Sequence, residues 1–148
     1  MQIASSPVYL DTSGLAKLYV SEPDSPTLEA ALVGRRDLIV SDLAVTELTS
    51  TIARRRREGD LSAAHAQRVY LRILRDCETG AFRHAELTTS VHRDAEHLML
   101  GLGRNVPLRA ADALHLALAR AYNAHVLITF DRRMRAAAEV LGTFELPG

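Results

Sequence analysis

The sequence has very little cysteine and no excess of charge of either sign. Cys77 is the only cysteine among 148 residues, which excludes an internal disulfide and any zinc or redox motif built on a Cys-x-x-Cys pair. We expect this cysteine to pack as a small apolar residue. Basic and acidic residues number 18 each, so the net charge favours neither a nucleic-acid nor a membrane partner, and a site for a polyanion would require local clustering.

Long apolar runs are also missing. No stretch approaches the roughly 18 apolar residues that a membrane span needs, and no basic region with an apolar core precedes Asp11, so we expect neither a membrane anchor nor an export signal. The composition, with 47% apolar and 24% charged residues, is that of a folded globular protein. We expect a single domain over residues 1–148 and, from the cysteine usage, a reducing cytoplasm.

Short apolar runs alternate with helical patterns along the chain. Strands are predicted over residues 8–10, 38–40, 82–87, 126–129 and 143–146, the last as an edge strand closed by Pro147. Helix starts are marked by capping residues, among them Ser25 before Pro26, either Ser41 or Asp42, and Ser62. Strands that alternate with helices predict a three-layer α/β/α sandwich with a central, mainly parallel sheet of about five strands.

Four acidic residues follow this alternation. Asp11 and Asp131 come just after predicted strands. Asp112 lies in the first turns of a helix, and Glu47 lies about a turn and a half into another. In an open parallel sheet, ligands bind outside the carboxyl ends of the strands, so we expect all four carboxylates to converge at one rim.

Such a cluster of carboxylates predicts a divalent metal site. Two carboxylates about 5 Å apart repel each other by roughly 3 kcal/mol at an effective dielectric constant of ~20, so four without a cation would be strained or partly protonated. Carboxylates, water and substrate phosphate oxygens are the ligands that Mg²⁺ and Mn²⁺ prefer. A metal of this kind can activate water for attack on a phosphodiester, which makes phosphodiester hydrolysis the fitting reaction.

Four segments together resemble a known family. In chain order they are VYLDTSGLAKLYVSEPDS, VSDLAVTEL, LRAADALHLALA and LITFDRRMRAAA. Their order and spacing are similar to those of PIN-domain nucleases, and most of all to the VapC-type toxins of bacterial toxin-antitoxin pairs. The resemblance implies a Mg²⁺- or Mn²⁺-dependent endoribonuclease that acts on RNA, forms a homodimer and is inhibited by a small antitoxin protein covering the acidic site. The metal-binding, catalytic acids of the family fall on Asp11, Glu47, Asp112 and Asp131.

Polar residues near the same rim have a functional and a structural interpretation. Thr12, Ser13 and Thr129 are predicted to orient a ligating carboxylate or a metal-bound water, with helix capping as the alternative. Arg109 is predicted to bind a phosphate or to pair with an acid.

The acids have structural alternatives as well: capping of the following helix for Asp11 and Asp131, the helix macrodipole for Asp112, and a surface position for Glu47. The alternative is strongest for Asp131, because the resemblance implies that the fourth acid can act on the metal through water.

Basic and apolar surfaces give weaker predictions. Arg54 and Arg55, in the arginine run 54–57, are candidates for RNA-backbone contacts, although arginines are favoured in the last turn of any helix. His115 is expected to be a packed core histidine rather than a ligand, since the histidines have no zinc-site spacing. The apolar side chains on one helix form either a dimer surface or core, the latter being more common; they are Leu98, Met99 and Leu102.

Two alternative functions stay open on the sequence alone. A non-catalytic PIN-like module would bind RNA or a protein through the same fold, but such members usually lose acids, and this chain keeps all four. A DNA-directed nuclease of the same fold is the other alternative, although those related to flap nucleases are generally longer and carry more acids.

Overall fold

Within residues 1–102 and 104–148, which the computed structural model describes, four strands alternate with seven helices. The strands are β1 (Val8–Leu10), β2 (Leu38–Ser41), β3 (Arg83–Ala85) and β4 (Val126–Ile128). The helices are α1 (Thr12–Tyr19), α2 (Ser25–Leu32), α3 (Asp42–Arg57), α4 (Ala63–Glu78), α5 (Thr89–Leu102), α6 (Ala110–Ala121) and α7 (Arg132–Leu141). None of the helices in this part of the chain is long and apolar enough to cross a membrane.

The four strands form one parallel sheet with β1 in its interior. The spatial order is β3-β2-β1-β4, and Val8 of β1 is in register with Leu38 on one side and Val126 on the other. In this sheet β2 and β3 lie on one side of β1, and the chain then crosses over so that β4 lies on the other side. This reversal creates a crevice at the carboxyl ends of β1 and β4, where ligands bind in open α/β sheets.

Helices cover both faces of the sheet. Side chains alternate between the two faces of a strand, so Val8 and Leu10 pack in one core with α1, α2, α3 and α4. Tyr9 packs in the other core with α5, α6 and α7. Because all three residues of β1 are fully buried, the strand reads as a continuous apolar run. The predicted three-layer α/β/α sandwich is therefore confirmed.

The sheet has four strands in the described residues rather than about five. In the segment 143–146, predicted as an edge strand, only Glu145 pairs, in an isolated bridge with Val126. The carbonyl groups of Leu146 and Pro147 accept hydrogen bonds from the guanidinium of Arg135, and proline has no N–H with which to extend the pairing. The third strand is also shorter than the predicted range 82–87, because only Arg83–Ala85 pairs with β2.

Two of the predicted helix caps are present and one is shifted. Ser41 Oγ accepts the N–H of Ala44 at the start of α3, and Ser62 plays the same part for α4. In α2 the cap position is Asp24, and Ser25 is already helical. The Ser25 hydroxyl contacts the backbone of the preceding loop instead, which is why it does not cap the helix.

The apolar stripe of α5 belongs to the core. Leu98 is buried between α5 and its neighbours, and Met99 and Leu102 pack against the same core cluster. Of the two interpretations of this stripe, core rather than dimer surface is the one that the structure supports.

Gly14 lies at the start of α1, where this helix passes close to β4. A Cβ atom at this position would lie 2.9 Å from the carbonyl oxygen of Ile128 and 3.0 Å from its Cγ2 atom. Since backbone cannot move aside as a flexible side chain can, we expect Gly14→Ala to lower the free energy of unfolding by roughly 1–3 kcal/mol. Urea denaturation measures this loss.

The matched control is Gly101→Ala in α5. A Cβ there meets no described atom within 4 Å outside the backbone of its own helix, and alanine is the better helix former. We expect no loss of stability for this variant. Equal stability of Gly14→Ala and the unmodified protein would contradict the close approach of α1 to β4.

Candidate active site

The four acidic residues predicted from the sequence line one open cavity of about 430 Å³. Asp11 directly follows β1, and Asp131 lies just after β4. Glu47 projects from α3, and Asp112 from the first turn of α6. The cavity therefore opens at the carboxyl edge of the sheet, beside the crevice between β1 and β4, and the structure brings all four acids together there.

Asp11 is the most deeply buried of the four, at 3% exposure. Its Oδ1 accepts hydrogen bonds from Ser13 Oγ at 2.7 Å and from the N–H of Gly14 at 2.9 Å, and its Oδ2 accepts from Thr129 Oγ1 at 2.6 Å. Burial raises the pKa of this carboxyl group, and the three donors offset only part of the rise. Ser13 and Thr129 thus lie where the sequence analysis placed them, against a carboxylate at the rim.

Asp112 and Asp131 both lie near the guanidinium group of Arg109. Arg109 Nε lies 3.4 Å from Asp112 Oδ2, and Arg109 Nη2 lies 3.6 Å from Asp131 Oδ2. Because the arginine side chain is 58% exposed, solvent screens both pairs and they add little stability. Both acids also accept backbone N–H groups at the start of their helices, so the capping interpretation applies to them as well.

Glu47 is held from the interior of the protein. Its Oε1 accepts from Thr12 Oγ1 at 2.7 Å and from His115 Nε2 at 2.6 Å. The bond from His115 is the main cause that lowers the pKa of Glu47, so the carboxylate is ionised near neutral pH. In the described part of the chain, neither this histidine nor any other donor forms a hydrogen bond with Oε2.

A buried series of hydrogen-bonded polar side chains lies behind Glu47 and was not predicted from the sequence. His115 is a packed histidine, as expected, but its Nδ1 lies 2.7 Å from Tyr9 Oη, and this hydroxyl donates to Ser41 Oγ at 2.9 Å. Burial raises the pKa of Tyr9 far above its usual range, so the hydroxyl keeps its proton. The alternation of side chains in β1, which turns Tyr9 toward α6, was the available signal.

Two further charged residues of the cavity were not predicted. Lys17 Nζ lies 3.1 Å from Glu22 Oε2, and both residues line the cavity. Lys17 also lies over the ring of Phe130, 4.6 Å from its centroid. Arg55 reaches the rim through its own ion pair with Glu22 Oε1 at 3.1 Å, whereas Arg54 is exposed on α3 and does not line the cavity.

The donor atoms are those of a site for a hard divalent cation. Carboxylate and hydroxyl oxygens line the cavity, and Mg²⁺ prefers oxygen ligands. Among residues 1–102 and 104–148, no group of three or more His, Cys, Asp or Glu residues forms a site that could hold a metal by itself. Mg²⁺ usually binds through one or two carboxylates and completes its shell with water and substrate phosphates, so these residues fit such a cation.

Comparison with known proteins identifies the family. The family model described as PIN domain matches residues 8–140. The chain belongs to the PIN-domain family. Ribonuclease VapC45 of Mycobacterium tuberculosis is 34% identical over 139 residues, which cover 91% of each chain. This relationship confirms the resemblance to VapC-type proteins found in the sequence.

Solved structures of VapC proteins have the same fold. VapC20 of Mycobacterium tuberculosis, described as a sarcin-ricin loop cleaving toxin, has a TM-score of 0.68 at 16% identity and covers 88% of this chain and 94% of its own. VapBC2 of Rickettsia felis, solved with a DNA fragment from its promoter, has a TM-score of 0.67 at 15% identity and covers 95% and 96%. At these identities the likeness concerns the fold alone.

The raised pKa of Asp11 predicts a specific pH dependence of stability in the metal-free protein. The unfolded chain releases this proton near pH 3.9, whereas the folded chain releases it only at higher pH. Its stabilising contribution is therefore complete below about pH 4 and is lost as the pH rises through the folded pKa. Asp11→Asn has no proton to release at this position, so the variant does not lose stability in this way as the pH rises.

Urea denaturation in the presence of a chelator, between pH 4 and 8, measures the effect. We expect the difference in unfolding free energy, the unmodified protein minus Asp11→Asn, to fall as the pH rises. Asp60→Asn, at an exposed acid, is the control for the removal of one carboxylate. A difference for Asp11→Asn that stays constant or grows with pH would argue against a buried, proton-retaining Asp11.

Proposed function

We propose that this PIN-domain chain is an endoribonuclease of the VapC type, which hydrolyses RNA phosphodiester bonds with the help of a divalent cation. The observation that carries the proposal is the shared cavity of four carboxylates that are distant in the sequence. Kinship with proteins named ribonuclease supports RNA as the substrate. The alternative of a non-catalytic module has no such support, since all four acids line the cavity.

The acids have different parts in the proposed site. Asp11 and Asp112 are the two buried carboxylates, and we assign them as the principal ligands, with Glu47 as a third and Asp131 as a ligand that can act through water. Mg²⁺ or Mn²⁺ bound there would polarise a phosphoryl oxygen and lower the pKa of a coordinated water. Ser13 and the N–H of Gly14 keep one oxygen of Asp11 fixed through their hydrogen bonds.

Arg109 is the residue that we assign to the substrate. Its guanidinium lies at the cavity, and its contacts with Asp112 and Asp131 are long, at 3.4 and 3.6 Å. A guanidinium held this loosely can turn toward a phosphate oxygen, which it binds with two parallel N–H donors. Arg55, already paired with Glu22, is a weaker candidate, and Arg54 stays a prediction from the sequence.

We also propose protein partners for this chain. VapC-type toxins, which the sequence resembles, pair with a small antitoxin, and the related Rickettsia felis structure is described as VapBC2. The same resemblance leads us to propose a homodimer. Sedimentation velocity at micromolar concentration tests the proposed homodimer, and a single monomeric species would exclude it.

Cleavage of a structured RNA pool by the purified protein tests the proposed activity. We expect cleavage with Mg²⁺ or Mn²⁺ and none with a chelator. Asp112→Asn should reduce the rate by at least about 100-fold, the scale of losing one group that stabilises the transition state electrostatically. Its amide oxygen can still accept the N–H of Arg109, so the helix start and the fold should persist.

The matched control is Asp60→Asn, which removes an exposed carboxylate outside the cavity and should cut at the rate of the unmodified protein. Thermal unfolding confirms that both variants are folded. Undiminished cleavage by Asp112→Asn would refute the four-acid site, and cleavage that persists in chelator would refute the metal dependence.

A further inference from the structure

His115 links the cavity to the core of the fold. Its ring is 3% exposed and lies between Glu47, 2.6 Å from Nε2, and Tyr9, 2.7 Å from Nδ1. Thr12 Oγ1 is a second neighbour of Nε2, at 3.1 Å. Every polar atom of the ring therefore has a partner, and three different structural elements, β1, α1 and α3, meet at one side chain of α6.

The contact with Glu47 defines the role of one ring nitrogen of His115. An ionised carboxylate can only accept hydrogen bonds, so the 2.6 Å contact requires a proton on Nε2. The opposite nitrogen, Nδ1, lies 2.7 Å from Tyr9 Oη, and this oxygen lies 2.9 Å from Ser41 Oγ. Ser41 in turn caps α3, the helix that carries Glu47. The orientation of the imidazole is thus fixed from both sides.

The hydrogen bonds of Glu47 are one-sided. Thr12 and His115 both donate to Oε1, although the glutamate side chain is 36% exposed and has three rotatable bonds that could turn it into solvent. Because both donors bind the same oxygen, the carboxylate keeps one fixed orientation, and the lone pairs of Oε2 stay available. Hydrogen bonds of this kind to a ligating carboxylate raise metal affinity by holding the ligand in place.

We infer that His115 is a positioning residue, which holds the Glu47 carboxylate by one oxygen so that the other is presented to a divalent cation in the cavity. Tyr9 and Ser41 act behind it by fixing the imidazole. The inference rests on the proposed function, because it takes Glu47 as part of the metal site. In this proposal a histidine of the core orients a metal ligand, a role that its packing alone would not require.

Calorimetric titration of the metal-free, full-length protein with Mn²⁺ tests this inference without measuring activity. His115→Leu removes the donor to Glu47, and we expect Mn²⁺ affinity to fall by about 10- to 100-fold, the usual effect of losing a partner of a metal ligand. His115→Gln places an amide N–H close to the position of Nε2 and should recover most of the affinity. His97→Leu, at an exposed histidine of α5, should bind Mn²⁺ like the unmodified protein.

Tyr9→Phe is a second variant, useful also where His115→Leu does not fold. It keeps the buried ring but removes the hydroxyl that holds Nδ1, and Tyr9 itself does not line the cavity. We expect a smaller loss of Mn²⁺ affinity than for His115→Leu. Urea denaturation of each variant shows whether it is folded, so that reduced stability is separated from reduced metal binding.

The outcomes separate the inference from the proposed function. If folded His115→Leu and Tyr9→Phe bind Mn²⁺ as tightly as the unmodified protein while Asp112→Asn does not, His115 is only a structural residue and the inference is overturned. If the unmodified protein itself binds no Mn²⁺, the proposed function fails and the inference fails with it.

Discussion

The hydrogen bonding of the buried Asp11 carboxylate is the interaction on which the cavity depends. Asp11 directly follows the interior strand β1, and its oxygens accept hydrogen bonds from the start of α1 and from Thr129, which follows β4. A carboxylate buried without these donors would be strongly unfavourable, so the acid joins the two strands that border the crevice. The residue assigned to the metal is thus also the residue that shapes its site.

The rest of the cavity follows the same physical logic. Neighbouring carboxylates repel each other, and each acid of the cavity is stabilised by its own set of hydrogen-bond donors. Asp112 and Asp131 use N–H groups at helix starts, where the partial positive charge favours an acid, and both lie near Arg109. Glu47 uses a neutral hydroxyl and a buried imidazole. Each carboxylate accepts structural hydrogen bonds and still has lone pairs that a cation could use. Capping and metal binding are therefore not competing interpretations.

The layers, the parallel sheet and the convergence of the four acids could be predicted, because each depends on local periodicity and on which residues follow a strand. The fifth strand could not, since the carbonyl groups of its last residues bind the distant side chain of Arg135. The hydrogen bond between Tyr9 and His115 joins residues 106 positions apart. The alternation of side chains in β1 indicates the face on which Tyr9 lies, but no local pattern shows that His115 lies opposite it. Lys17 and Glu22 were missed for the same reason, because their position at the cavity depends on how α1 packs.

In the proposed site, Asp11 and Asp112 are ligands of one divalent cation. A crystal structure of the protein grown with Mn²⁺, with anomalous scattering recorded for manganese, tests it most directly. We expect a single anomalous peak within about 2.5 Å of a carboxylate oxygen of each residue, the coordination range of hard cations with oxygen ligands. Well-ordered carboxylates with no manganese between them, or a peak elsewhere on the molecule, would contradict it.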